Sequence, residues 1–197
     1  MARHQAGKFL LRFALIFGLL IVPWPGWNQI YAHYFQGLGQ MAFSREVGRR
    51  VVVFSPADGS QSSSGLDTQI TLANRDLLDA SGKGLMKRTE IDSRSIGWVP
   101  TALTLALIGA TPISWWRLLW ALVGGLILVH GFVLFSLQAW IWNNSPDVSL
   151  LNLPTFWKTA ADDLDYELMN QLGASFTVPV LIWILVTFRG QDRLNKR

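Results

Sequence analysis

Four long apolar runs, each nearly free of charge, constrain this 197-residue chain more than any other feature. They cover Phe9–Trp24, Val99–Ile113, Trp116–Trp142 and Leu172–Phe188. A bilayer hydrocarbon core about 30 Å thick takes about 20 helical residues to cross, and shorter runs reach across through flanking residues that snorkel. The spacing therefore predicts a membrane α-helical protein with four transmembrane helices. Between them the sequence predicts a small extracytoplasmic β-rich insertion and interfacial amphipathic helices.

The expected order along the chain is a first transmembrane helix over 1–27, an interfacial helix over 28–44 and a β-rich domain over 45–97. A transmembrane hairpin over 98–142 follows, then an extracytoplasmic loop with an interfacial helix over 143–171. Residues 172–197 complete the chain as a fourth transmembrane helix and a basic tail. Pro23 and Pro25 each remove a backbone donor and end or bend the first run. The flanking tryptophans suit interface anchors and no small-residue cleavage site is nearby, so the run is expected to be retained rather than removed as a signal peptide.

In 28–43, Ile30, Tyr34, Leu38 and Met41 recur at helical spacing, widened by Tyr31, Phe35 and Ala42. The next segment changes period. Val51–Phe54, Thr68–Asn74 and Leu85–Ser95 are short β-favouring stretches bounded by turn residues, which predicts a small antiparallel sheet of three short strands. In the third, Leu85, Lys87, Thr89 and Ile91 alternate with Met86, Arg88, Glu90 and Asp92.

Charge placement predicts orientation. Arg3, Lys8, Arg12, Arg117, Arg189, Arg193, Lys196 and Arg197 lie on the short segments that share one side, with Asp192 the single acid among them. Short basic segments stay cytoplasmic, so the expected topology is multi-pass, N-in and C-in. The formal charge of +4 is a consequence of that topology and implies no nucleic acid partner. Absence of cysteine excludes disulfides, thiol nucleophiles and Cys-ligated metals.

Few residues point to chemistry. His130 stands in the middle of the third run, where an ionisable group is either a packed polar residue or a proton or ligand site. The three histidines are scattered and imply no metal, and no cofactor motif is present. Asp162, Asp163, Asp165 and Glu167 read as the wet face of an interfacial helix. The Ser60–Ser64 tip lacks the strand–elbow–helix setting of a hydrolase nucleophile. Asp92 and Arg94 precede the second run, where an Arg–carboxylate pair would tie the sheet to the helices or contact a partner. Trp98 marks an interface and Pro100 suits a first helical turn. Ala102, Ala106 and Ala110, four apart, form a small-residue seam for close helix packing, expected against the third run, which carries Ala121 and Gly125 at the same spacing.

The stretch Asp92–Leu103, continuing through Ala110-Thr111-Pro112 to Trp116-Arg117, resembles the bacterial exosortase-associated membrane proteins, those of the exosortase H type above all. The resemblance implies an inner-membrane accessory to a protein-sorting transpeptidase. Exosortases use Cys, Arg and His, so a chain without cysteine is not that enzyme, and no catalytic residue carries over. The expected function is therefore a non-catalytic accessory or scaffold whose partners are the lipid bilayer and another integral membrane protein, an exosortase by this resemblance. The alternative is a small-solute or proton-coupled transport component built around His130.

Overall fold

The computed structural model describes residues 2–44, 50–57, 65–78, 82–145 and 172–188, together with 156 and 159. Helix α1 (Ala2–Ile21) stops before Pro23. Helix α2 (Trp27–Phe43) begins after Gly26, whose φ of 79° is a left-handed conformation that glycine adopts without strain. Strands β1 (Arg50–Pro56), β2 (Thr68–Leu78) and β3 (Gly84–Ile91) form an antiparallel sheet in that order. A π-helical turn (Arg94–Trp98) runs directly into α3 (Val99–Ala110). Helices α4 (Trp115–Asn144) and α5 (Leu172–Thr187) complete the described chain.

The sheet pairs Val53 with Thr71 and Thr71 with Arg88, and Phe54 with Ile70 and Ile70 with Thr89. One face therefore carries Phe54, Thr68, Ile70, Leu72 and Ile91, all buried. Helix α2 covers that face with Tyr31, Phe35 and Gly39. Gly39 is required here: a Cβ would lie 2.6 Å from the Phe54 ring. The buried face of α2 is thus not the Ile30–Tyr34–Met41 stripe, which is exposed. The rings of Tyr31 and Phe35 turn toward the sheet core because Gly39, on their side of the helix, leaves room for Phe54.

Helix α3 is the axis of the bundle, with α1, α4 and α5 packed around it. Ala102, Ala106, Ile108 and Ala110 have no exposed surface. On α4 the inward stripe is Ala121, Gly125, Val129, Val133 and Leu137. A Cβ on Gly125 would collide with Ile108 at 2.5 Å and press Thr104 at 3.3 Å. Gly125 of α4 therefore receives Thr104 and Ile108 rather than the Ala102–Ala106–Ala110 seam. That seam lies about a third of a turn or more away around α3, at roughly 100° per residue. Gly109, beside it, faces Ile16 of α1. Trp183 of α5 donates to the Thr111 hydroxyl at 2.8 Å. Lys87 donates to Asn144 Oδ1 at 2.6 Å, which fixes the sheet at the C-terminal end of α4.

The expectation of four transmembrane helices does not hold. Among the described residues one helix, α4, is long and apolar enough to cross a bilayer. At about 1.5 Å per residue, the 12 residues of α3 and the 16 of α5 rise only about 18 and 24 Å, against a hydrocarbon core of about 30 Å. Helix α1 has 20 residues but carries Lys8 and Arg12 inside them. The apolar character of α3 has a different cause: a helix buried around most of its circumference is hydrophobic all round because protein surrounds it. With these lengths the multi-pass expectation goes too. The interfacial helix expected over 156–172, apart from residues 156, 159 and 172, the acidic cluster at Asp162–Glu167, the Ser60–Ser64 tip and the basic tail after Phe188 lie outside the described residues.

Enlarging a buried alanine on the axis overpacks it. Ala106→Leu should lower stability by about 1–3 kcal/mol in thermal unfolding of the detergent-solubilised protein, and Leu105→Ile, at a part-exposed position, by less.

Candidate functional site

The chemistry-bearing residues converge where the sheet, α1, α2 and α3 meet, at residues 92–101. The geometry starts from a problem at the end of α1. Pro23 and Pro25 stop the helix, and the last carbonyls of any helix lack intrahelical donors. Three side chains supply them. Trp24 Nε1 donates to the Leu19 carbonyl at 3.0 Å and Trp98 Nε1 to the Leu20 carbonyl at 2.9 Å. The Arg94 guanidinium donates to the Ile21 carbonyl. A cation also suits this end of the helix dipole.

Arg94 therefore does not pair with Asp92, as its position suggested. Asp92 Oδ1 accepts the Arg94 backbone N–H at 2.9 Å, and its carbonyl accepts the Ser95 hydroxyl at 3.1 Å. The tie between sheet and helix is Asp67, just before β2. Its Oδ1 accepts the Ser93 N–H at 3.0 Å and its Oδ2 accepts the Ser93 hydroxyl at 2.7 Å. Asp67 acts as an N-terminal cap for the π turn and α3 from 26 residues away, and its charge faces the positive end of that helix.

Pro100 lacks the N–H that would close a regular turn onto Ile96, and the wide π turn lies immediately before it. The Gly97 carbonyl accepts the Thr101 hydroxyl at 2.7 Å, and the Pro100 carbonyl accepts the Thr104 hydroxyl at 2.8 Å. Gly97 has no room for a side chain: a Cβ would overlap the Tyr31 hydroxyl and touch Phe35 at 3.2 Å. Tyr31 hydrogen-bonds Thr101, and burial raises its phenol well above the ordinary range, so the hydroxyl keeps its proton. Trp98 stacks edge-on to Trp27 at 5.0 Å and beside Tyr31 at 5.4 Å. From α2, Gln36 donates to the Asp67 carbonyl at 3.3 Å and to Thr68 Oγ1 at 3.2 Å, while Gln40 Oε1 accepts the Phe54 N–H at 3.1 Å.

This network joins the sheet, α1, α2 and α3. Ser93 has no exposed surface, so its bond to Asp67 closes a turn and meets no substrate. Among the described residues no group of three His, Asp or Glu side chains could hold a metal ion. His130 makes none of these hydrogen bonds and reaches the junction through the Tyr34 ring, which lies 5.9 Å from Tyr31. Its Nδ1 is 2.8 Å from the Leu126 carbonyl one turn earlier, and its ring stands edge-on to Tyr34 at 5.8 Å, so it packs α4 against α2.

Asp92, Arg94, Trp98 and Pro100 thus meet in one place, whereas Ala121, Gly125 and His130 belong to the helix contacts. Asp67, Gln36, Gln40, Tyr31 and Thr101 were missed as site residues. The glutamines carried one signal, their spacing of four on a helix next to a β segment. Asp67 carried none, because it reaches its partner only through the return of β2 and β3. No family model, curated protein or solved structure matches the chain.

Removing the Asp67 carboxylate leaves the Ser93 N–H without its acceptor, and hydrogen bonds to charged groups contribute about 1.5–3 kcal/mol each. Asp67→Ala should lower unfolding stability by about 2 kcal/mol, more than Ser93→Ala, which removes one of the two bonds. Equal and negligible effects would show that the cap does not hold the sheet.

Proposed function

We propose that this chain is a non-catalytic membrane accessory or scaffold protein that serves an exosortase-type protein-sorting system. The observation that carries the membrane part is the outward surface of the bundle. Leu10, Leu15 and Leu19 on α1, Trp116, Trp120 and Ile127 on α4, and Leu181 and Leu185 on α5 are all largely exposed. An apolar surface of that extent calls for lipid or a membrane-embedded partner. Helix α4 is, among the described residues, the helix long and apolar enough to cross the bilayer. Its N-terminal end, with Arg117 and the nearby Lys8 and Arg12, lies on the cytoplasmic side, in keeping with the excess of basic residues there. The sheet, held at the opposite end by Lys87 and Asn144, then lies outside.

Support for the sorting role is the resemblance carried by Asp92–Leu103 and continuing through Ala110-Thr111-Pro112 to Trp116-Arg117. Its first part, residues 92–101, forms the junction that sets the sheet on the bundle, which a scaffold needs for the placement of its outer domain. The outward face of the sheet, with exposed Met86 and Arg88 on β3, is the surface presented to the partner.

In a bacterium encoding this chain with an exosortase, deletion should leave sorting-signal proteins uncleaved in the membrane. The wild-type gene should restore cleavage. Met86→Glu/Arg88→Glu should insert normally yet fail to co-purify with the exosortase or restore cleavage. Normal processing in the deletion strain would overturn the sorting role. Solute or proton movement by the purified chain in liposomes, lost on His130→Ala, would replace it with transport.

A further inference from the structure

The geometry points to a binding site for the phosphate of an anionic phospholipid on α1, beside the end of α3. A cavity of about 220 Å³ is lined by Gln5, Lys8, Phe9 and Arg12 of α1 and by Ala110 and Pro112. It contains two cations and an amide, and no carboxylate. Among the described residues neither Lys8 nor Arg12 has an acidic partner. Like charges four apart on one helix face repel, so this pair is unfavourable until an anion lies between them.

The same helix face also provides for the rest of a lipid. At roughly 100° per residue, Lys8, Arg12, Leu15 and Leu19 fall within about 60° of one another, with Leu11 at the edge of the stripe. Leu11, Leu15 and Leu19 are 63%, 64% and 60% exposed. From Lys8 to Leu19 the helix rises about 16 Å, close to the roughly 15 Å of one hydrocarbon leaflet. Cations at one end and leucines below them match a phosphate with an acyl chain beneath it. Trp115 and Trp116, exposed at the start of α4, stand at the same end of the bundle, where interfacial tryptophans sit. A free inorganic phosphate would use the cations and leave the leucine stripe uncovered, so the lipid is the occupant.

This inference rests on the membrane reading above, and the two fail separately. Carbonate washing of membranes tests the first: release of the chain into the soluble fraction would overturn the membrane reading and this site with it. For a retained chain, the full-length protein in detergent is titrated with dioleoylphosphatidylglycerol, dioleoylphosphatidylcholine and inorganic phosphate, with binding followed by native mass spectrometry. Phosphatidylglycerol should bind in preference to phosphatidylcholine, and added salt should weaken it. Each interfacial basic residue contributes about fivefold, so Lys8→Gln/Arg12→Gln should weaken phosphatidylglycerol binding by roughly thirtyfold. Lys8→Arg/Arg12→Lys should retain it. Equal binding of the two lipids, or salt-independent binding by the wild-type chain, would reduce the surface to plain hydrocarbon contact and overturn the site. Phosphate competing as well as the lipid would overturn the lipid as occupant.

Discussion

The end of α1 is the constraint on which the other elements depend. Pro23 and Pro25 stop the helix and leave the Leu19, Leu20 and Ile21 carbonyls without helical donors. Trp24, Trp98 and Arg94 meet those carbonyls, and two of the three come from the far side of the sheet in sequence. Satisfying them fixes where the π turn lies. The π turn fixes the start of α3, and α3 carries the bundle.

The junction works from both sides. On the helical side, Gly97 lets Tyr31 and Phe35 approach the backbone, and the Thr101 hydroxyl donates to the Gly97 carbonyl. On the sheet side, Asp67 caps the turn and Gln36 holds the backbone around Asp67. Each contact is modest, yet they share residues, so the sheet and bundle cannot shift independently. The scaffold role proposed above calls for that rigidity. The proposed lipid site on α1 lies at the opposite end, where it would anchor the same helix whose other end the junction closes.

The sequence made the local periods visible. The alternation of Leu85, Lys87, Thr89 and Ile91 matches the inward side of β3, because a strand's period of two depends on nothing distant. Apolar runs showed helices but not what surrounds them. The residues Val99–Ile113 have the composition of a lipid-facing segment, and α3 meets protein instead. Arg94 illustrates the same limit at the site. Its neighbour Asp92 suggested an ion pair, whereas its partner is the carbonyl of Ile21, 73 residues away, created by prolines in another run. Asp67 had no local pattern at all. Long-range caps of this kind depend on the tertiary approach of two chain ends, and period and composition do not encode that approach.

Hydrogen exchange after Trp98→Phe tests the central claim most directly. The substitution keeps an aromatic ring and removes the donor to the Leu20 carbonyl. If the junction couples the elements, protection should fall together in residues 18–22, 27–36 and 92–101, with the centre of α4 unchanged. Loss confined to residues 94–98, with the end of α1 and α2 as protected as before, would contradict the account.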